Sequence, residues 1–298
     1  MDRTPLGTEH RVALSAGEVR YFERGTGTPV VFVHGILTNA DLWRAVVPDV
    51  ARAGFRCIAP DWPLGGHDIA MRADAELGPV AHADLIAELL ERLDLTHVVL
   101  VANDTGGALT QIMLTRHPDR VGRVVLLPSD TFEHFFPPIF RALPPLAGVP
   151  GSMRVLAALL RIRRLHRLPV IFGWVTKRPL PAAVVESYLW PVGRDAGVRR
   201  DLRKLLRGVH PRHTLAAAER LRAFGKPVLL LWGTEDKLFP VRFARRLAAL
   251  LPDARLVEVP DTYTFVSEDR PDVVVRHIVA FAKLAEGPSG SDVSVMAD

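Results

Sequence analysis

The chain has 298 residues, of which 48% are hydrophobic and 24% charged, so it is long and apolar enough to form one large globular domain. No apolar stretch approaches the roughly 20 residues that cross a membrane, and the N-terminus lacks the apolar core of a secretory signal. A single cysteine, Cys57, excludes an internal disulfide, and no Cys/His cluster has the spacing of a zinc site. We therefore expect a cytoplasmic protein without a metal or other cofactor.

The net charge of +5 is distributed unevenly along the chain. Residues 141–213 contain 15 Lys and Arg but 3 Asp and Glu, a net charge of +12 that leaves −7 for the remainder. Such a segment fits an anionic substrate, an acidic partner or a membrane surface, or it forms a solvated arginine-rich face. We favour the solvated face, and we expect neither a nucleic-acid partner nor peripheral membrane contact.

Short apolar runs alternate with segments of helical period. Buried strands are predicted over residues 30–33, 55–59, 98–102, 124–127, 228–232 and 255–259. Helices are predicted over residues 41–53, 79–93, 106–117, 241–251 and 271–284. Residues 11–14 and 19–23 predict an antiparallel hairpin at the start of the chain. The alternation predicts an α/β fold, with a mostly parallel sheet that is covered by helices on both faces.

The alternation stops between residues 131 and 213, where prolines and helical patterns over 152–167 and 181–190 predict a helical cap. The expected organisation is therefore a core in two parts, 1–130 and 214–286, with the cap inserted between them and a disordered tail over 287–298. Leucines and arginines mix at helical spacing over 152–174. Such a stripe can lie on an acidic membrane surface, but we expect it to be the packing face of the cap, with its arginines in water.

The stretch VANDTGG, residues 101–107, predicts a sharp turn from a strand into a helix. A turn of this kind usually presents a catalytic serine, whereas this chain has Asp104 in the middle. The small neighbours Ala102, Gly106 and Gly107 leave room for a strained backbone that pushes the Asp104 side chain outward. An alternative is that Asp104 only caps the helix that follows it.

The chain resembles the α/β-hydrolase superfamily over nearly its whole length. Four motifs carry the resemblance, and they occur in the expected order: VVFVHG at 30–35, IAPDWPLGGH at 58–67, VANDTGG at 101–107 and LLLWGTEDKLFP at 229–240. The resemblance implies an α/β-hydrolase fold with a helical cap. It further implies that Asp104 occupies the nucleophile position and Asp236 the acid position, and that Thr105 and either Ile36 or Leu37 supply backbone N–H donors to an oxyanion.

An aspartate at this position resembles the haloalkane dehalogenases and epoxide hydrolases of the superfamily. In those enzymes the carboxylate forms an ester with the substrate, and a histidine then activates the water that hydrolyses it. The loop VEVPDTYTFVSEDRP, residues 257–271, has Thr264 where the family has that histidine and Tyr263 where it has glycine. A threonine hydroxyl alone cannot replace imidazole as a base. Among the other histidines, His134 is the best candidate for the missing base.

The chain departs from both enzyme families in further ways. Similar dehalogenases have tryptophan after the aspartate, where this chain has Thr105. Epoxide hydrolases use two tyrosines of the cap, whereas this chain has only Tyr188 there, with Tyr263 as a possible second hydroxyl from the 257–271 loop.

The sequence predicts an enzyme that acts on a small organic molecule, with Asp104 as nucleophile or as acid and base. We expect burial, together with like-charge repulsion from Asp130 and Asp236, to raise the pKa of Asp104. The residues expected around the substrate are Asn103, Asp130, His134, Tyr188, Tyr263 and Thr264. The alternatives are a lyase, isomerase or cyclase on the same fold, or an inactive ligand-binding protein. Either a monomer or a homodimer is expected.

Overall fold

The computed structural model describes residues 3–284, so the predicted tail over 287–298 lies outside the described residues. Eight strands form one sheet in the order β1-β2-β4-β3-β5-β6-β7-β8. The strands are β1 (Thr8–Leu14), β2 (Gly17–Arg24), β3 (Thr28–Val33), β4 (Phe55–Pro60), β5 (Val98–Asp104), β6 (Val121–Ser129), β7 (Val228–Gly233) and β8 (Ala254–Val259). β2 pairs antiparallel with β1 and β4, and all other pairs are parallel. The predicted hairpin and parallel sheet are confirmed.

Helices cover the sheet and continue beyond it. They are α1 (Val47–Arg52), α2 (Pro79–Arg92), α3 (Thr105–Leu114), α4 (Leu143–Gly148), α5 (Ser152–Leu160), α6 (Ala182–Arg194), α7 (Ala196–Gly208), α8 (Pro211–Leu221), α9 (Arg242–Leu250), α10 (Val266–Asp269) and α11 (Pro271–Ala282). Within residues 3–284, no helix is long and apolar enough to cross a bilayer.

Two predicted helices are wrong in their extent. The one over 41–53 is divided into a 3₁₀ turn, Ala40–Trp43, and α1, because the Asn39 side chain caps the turn and Pro48 starts a new helix. The helix predicted from residue 152 to 167 ends as an α-helix at Leu160. A 3₁₀ turn, Arg163–Arg167, follows it, so the arginine-rich sequence does not continue one straight helical face.

The centre of the sheet is the most buried part of the molecule. Every residue of β5, β7 and α3 is buried, so α3 runs through the core directly behind the end of β5. Because β5, β6 and β7 are parallel neighbours, their carboxyl ends meet at one edge of the sheet. Asp104, Asp130 and Asp236 all lie at or just after these strand ends.

Candidate active site

The turn between β5 and α3 holds Asp104 in a rare backbone conformation. Its φ is 56° and its ψ is −135°, outside the regions that residues other than glycine ordinarily adopt. A helix N-cap usually has an extended backbone, so capping alone does not account for this geometry. Conformations of this kind cost on the order of 1–3 kcal/mol and occur mainly at functional sites.

Glycines make this turn possible because the neighbouring backbones approach closely. A Cβ atom on Gly106 would lie 2.3 Å from the His34 carbonyl oxygen. A Cβ on Gly35 would lie 2.5 Å from the Asp104 Cβ. The Asp104 side chain therefore rests directly against the backbone of the loop that follows β3.

We expect Gly106→Ala to lower the free energy of unfolding by about 3 kcal/mol, because overpacking against a fixed backbone carbonyl cannot relax locally. Chemical denaturation measures this change. Gly225→Ala is the matched control, since its Cβ would meet nothing within 4 Å, and its effect should stay within about 0.5 kcal/mol. Equal stability of the two variants would show that the turn tolerates a side chain at position 106.

The two carboxylate oxygens of Asp104 have different surroundings. Oδ1 accepts a hydrogen bond from the Thr105 N–H and lies 3.1 Å from the Thr105 hydroxyl oxygen. Oδ2 accepts no hydrogen bond from any residue between 3 and 284, although the side chain is only 8% exposed. Burial raises the pKa of Asp104 to about 6. One oxygen is therefore held by Thr105, and the other has no hydrogen-bond partner among residues 3–284.

The loop after β3 carries the two backbone N–H groups, of Ile36 and Leu37, that the sequence proposed as a second donor to an oxyanion. The Leu37 N–H donates to the Leu64 carbonyl oxygen at 2.9 Å, so it is already engaged. The Ile36 N–H makes no hydrogen bond within the described part of the chain. Of the two donors that the sequence left open, only Ile36 is available in this conformation.

Asp130 lies on the other side of Thr105. The Thr105 hydroxyl oxygen is 3.2 Å from Asp130 Oδ2 and 3.1 Å from Asp104 Oδ1. A hydroxyl has one proton, so it can donate to only one of the two carboxyls. Burial and then the charge of Asp104 raise the pKa of Asp130 well above its usual value. Both hydrogen bonds form when Asp130 is protonated and donates to the Thr105 hydroxyl, which in turn donates to Asp104.

Asp236 finds its partners in its own loop and in Thr264. Its Oδ1 accepts hydrogen bonds from the N–H groups of Leu238 and Phe239, at 2.8 and 2.9 Å, and from the Thr264 hydroxyl at 3.0 Å. Its Oδ2 is buried without a partner among residues 3–284. Burial raises the pKa of Asp236 to about 7, and the charge of Asp104 adds to the rise. Asp236 is therefore held by backbone N–H groups and by Thr264, and not by a histidine.

The raised pKa of Asp236 makes stability depend on pH. Between the unfolded pKa of about 3.9 and the folded pKa of about 7, the folded chain keeps a proton that the unfolded chain has lost. Stability therefore falls as pH rises through this window, by at most about 1.4 kcal/mol per pH unit for one proton. We expect Asp236→Asn to flatten the curve in urea titrations between pH 4 and 8. Asp74→Asn, at a carboxyl that is 82% exposed, should leave the curve as steep as in the wild type.

Asn103 holds the loop of Thr264 in place. Its amide donates to the carbonyl oxygens of Pro128, at 2.8 Å, and Thr264, at 3.0 Å. The side chain is fully buried, so it supports the site from behind and does not reach the position that the sequence expected, in contact with substrate.

Neither His134 nor His34 forms a hydrogen bond with Asp104, Asp130 or Asp236. The His134 ring packs against Phe243 with ring centroids 4.3 Å apart, and its Nδ1 has no partner within residues 3–284. None of its hydrogen bonds joins it to the three carboxyls of the site, so this geometry does not favour it as the base. His34 accepts from the Trp62 N–H, and burial lowers its pKa to about 4, which keeps the ring neutral. It supports the loop after β3.

Neither candidate tyrosine occupies an acid position above Asp104. The Tyr188 hydroxyl is fully buried and donates to Glu268 at 3.4 Å, where Glu268 also forms a bidentate pair with Arg44. The Tyr263 ring instead lies 4.7 Å from the Lys237 ammonium group. Tyr188 therefore contacts Glu268, and Tyr263 contacts Lys237.

Sequence reasoning missed one residue, Asp269, that organises this region. Its buried carboxylate accepts hydrogen bonds from the N–H groups of Lys177, Arg178 and Tyr263. It therefore fastens the middle of the 131–213 segment to the loop that carries Thr264. The sequence pattern around residue 269 carries no signal that distinguishes it from a surface carboxylate.

Comparison with known proteins agrees with this fold. Residues 28–271 match the profile of the "alpha/beta hydrolase fold" family. Haloalkane dehalogenase 2 of Mycobacterium tuberculosis is 31% identical over 271 residues, covering 89% of this chain and 91% of that protein. Cis-3-alkyl-4-alkyloxetan-2-one decarboxylase of Shewanella oneidensis is 26% identical over 287 residues, covering 91% and 87%.

Solved structures show the same fold. The haloalkane dehalogenase DatA from Agrobacterium tumefaciens aligns with a TM-score of 0.75 at 22% identity, over 92% of this chain and 96% of that one. The epoxide hydrolase CorEH aligns with a TM-score of 0.75 at 19% identity, over 92% and 98%. The chain belongs to the α/β-hydrolase fold family. Within it, the chain belongs to the branch that resembles haloalkane dehalogenases and epoxide hydrolases.

Proposed function

We propose that the protein is a hydrolase in which Asp104 attacks an electrophilic carbon of a small organic molecule. The observation that supports this most directly is the asymmetry of the Asp104 carboxylate. Oδ1 is held by Thr105, whereas Oδ2 accepts no hydrogen bond from the described residues. With a pKa of about 6, most Asp104 side chains are ionised at neutral pH. A buried carboxylate with a free oxygen is an effective nucleophile.

In the first step, Asp104 Oδ2 forms a bond to the substrate carbon while the bond from that carbon to the leaving group breaks. The product is an ester of Asp104, with Oδ1 as its carbonyl oxygen. Water then attacks the carboxyl carbon of Asp104, Cγ, and negative charge develops on Oδ1. The Thr105 N–H and the Thr105 hydroxyl, backed by protonated Asp130, stabilise that charge.

The pair formed by Asp236 and Thr264 takes the place of the missing histidine. As water attacks, the Thr264 hydroxyl accepts the proton of the water and passes its own proton to Asp236 Oδ1, 3.0 Å away. A base with a pKa of about 7 is suited to this transfer at neutral pH, whereas an ordinary carboxylate is about three units too weak. When the intermediate collapses, Asp236 returns the proton through Thr264 to the departing alkoxide, so the alcohol leaves and Asp104 is restored as a carboxyl that ionises again at neutral pH.

The leaving group is the part of the substrate that this site constrains least. Thr105 has no indole N–H to hold a departing halide, and its hydroxyl is engaged by two carboxyls. The relatives act, by their names, on haloalkanes, epoxides and an alkyl-substituted oxetanone. We infer that a β-lactone is a better substrate than an alkyl halide, because attack of Asp104 on its alkyl ring carbon breaks the C–O bond and releases a carboxylate, which needs neither a halide pocket nor a proton donor.

Intact-protein mass spectrometry tests the proposal. The protein is incubated with an alkyl bromide, a terminal epoxide and a β-lactone, and both adduct and product are followed in time. An adduct on Asp104 that forms and then decays as alcohol or acid appears supports the ester mechanism. A permanent adduct would show that Asp236 and Thr264 do not hydrolyse the ester.

A second candidate function is acid–base catalysis without an ester, as in a lyase or isomerase. The chain of hydrogen bonds from Asp130 through Thr105 to Asp104 favours it, because a carboxyl with a pKa of about 6 can exchange protons at neutral pH. A single-turnover experiment in which product forms at the steady-state rate, while no covalent adduct on Asp104 is detected, would favour acid–base catalysis over the hydrolase mechanism.

A further inference from the structure

A cleft of about 530 Å³ lies in the cap, away from the three carboxyls of the site. It is bounded by the end of α5, the Arg163–Arg167 turn, residues 176–180 and α6. Its volume is in the range of sites that hold one small organic molecule. None of Asp104, Asp130 or Asp236 lines it, so it is a separate feature of the molecule.

The walls of this cap cleft are strongly basic. One carboxylate, Glu186, faces a larger set of cationic side chains, which are Arg161, Arg163, Arg167, Lys177, Arg178 and Arg194. Some of these charges are already compensated: Arg163 lies 3.4 Å from Glu186, and Lys177 lies 2.7 Å from Glu235.

Three guanidinium groups of the cap cleft remain uncompensated. Arg161, Arg167 and Arg194 form no ion pair with any carboxylate between residues 3 and 284. Arg194 instead stacks over the Trp190 ring at 3.5 Å. Three guanidinium groups around one concave surface repel each other, and an anion placed between them relieves that repulsion.

The floor of the cleft is apolar. It is formed by buried side chains, which are Leu160, Phe172, Val185 and Leu189. Beside the floor, the Trp190 ring is 48% exposed. A purely inorganic anion would leave these groups in water, whereas a ligand with an alkyl chain would cover them.

Further apolar side chains are exposed on α5, outside the residues that line the cleft. The sequence predicted that the stripe of leucines and arginines over 152–174 is the packing face of the cap, and on α5 the buried residues are Met153, Ala157 and Leu160. The opposite face of α5, however, leaves Val155 and Leu159 at 61% and 45% exposed. Exposed apolar side chains next to uncompensated arginines are the combination that an anionic amphiphile recognises.

We propose that the cap cleft binds an anionic amphiphile, a molecule with one carboxylate or phosphate head group and an alkyl chain. Arg161, Arg167 and Arg194 hold the head group, and the chain lies along Leu189 and Trp190. The proposal is independent of the chemistry at Asp104, so a variant that lacks the Asp104 carboxylate should bind the amphiphile as the wild type does.

Isothermal titration calorimetry tests this with dodecanoate and dodecyl phosphate, each below its micellar concentration, using the full chain. We expect saturable binding at one site that weakens with added NaCl. The double variant Arg161→Glu/Arg167→Glu should weaken it by about tenfold or more, the effect of about 1.4 kcal/mol. Arg207→Glu/Arg220→Glu, at two exposed arginines outside the cleft, makes the same charge change and should bind like the wild type.

Three results would overturn the proposal. The first is equal weakening by both double variants, which would show a general charge effect. The second is binding of inorganic phosphate as tightly as dodecyl phosphate, since the alkyl chain would then contribute nothing. The third is association with phosphatidylglycerol vesicles without any saturable binding of the monomeric amphiphiles, because that would assign the basic cap to a bilayer surface.

Discussion

Asp104→Asn should abolish adduct formation and reduce turnover by roughly 10⁴-fold or more, as expected when the nucleophile of a covalent mechanism is removed. The amide has no charge and attacks carbon poorly, but it keeps the shape of the carboxyl. Asparagine also accepts a hydrogen bond at a helix N-cap and adopts positive φ more readily than most residues. The turn at residue 104 should therefore survive the substitution.

The measurements for this prediction are intact mass after incubation with substrate, kcat/KM, and the free energy of unfolding of both proteins. In the wild type, the rate of adduct formation should increase as pH rises through about 6, because only the ionised Asp104 attacks. An adduct on the Asp104→Asn protein at the wild-type rate would mean that another side chain is the nucleophile. Loss of activity together with loss of stability would instead indicate damage to the fold.

Thr264→His should accelerate hydrolysis of the Asp104 ester by roughly 10²–10⁴-fold, the usual contribution of general base catalysis. The new imidazole would lie beside Asp236, which now accepts a hydrogen bond from the Thr264 hydroxyl and would then accept one from the ring. The rate should increase as pH rises through about 6–7, because the neutral imidazole is the base. Decay of the adduct after rapid removal of free substrate measures this step directly.

Space is the main obstacle to this substitution, because Thr264 is completely buried. The double variant Tyr263→Gly/Thr264→His places glycine before the histidine, as in the loop of the enzymes that the chain resembles. It should show the faster ester hydrolysis even if the single variant folds poorly. Thr264→Val is the matched control, since it keeps the shape and removes the hydroxyl that connects water to Asp236. If it hydrolyses the ester as fast as the wild type, the proposed relay through Thr264 is wrong.

The sequence determined the architecture and the position of the unusual residues. Buried strands and amphipathic helices have characteristic periods, so the parallel sheet could be predicted from local patterns. The turn around Asp104 could also be predicted from its small residues, and the structure shows what they make room for, since Gly106 faces the His34 carbonyl and Gly107 the Ser129 side chain. The same local register predicted that Thr264 lies near Asp236, and the Thr264 hydroxyl donates to Asp236 Oδ1.

Only the tertiary structure decided which side chains meet. Asn103 bonds to the carbonyl of Thr264, which lies 161 residues away in the chain, and it therefore supports the site instead of facing substrate. The Leu37 N–H is engaged by Leu64, and Tyr188 is committed to Glu268, 80 residues away. Such contacts depend on how distant elements pack and on which buried polar groups compete for each donor. A pattern that extends over a few residues contains no information about that competition.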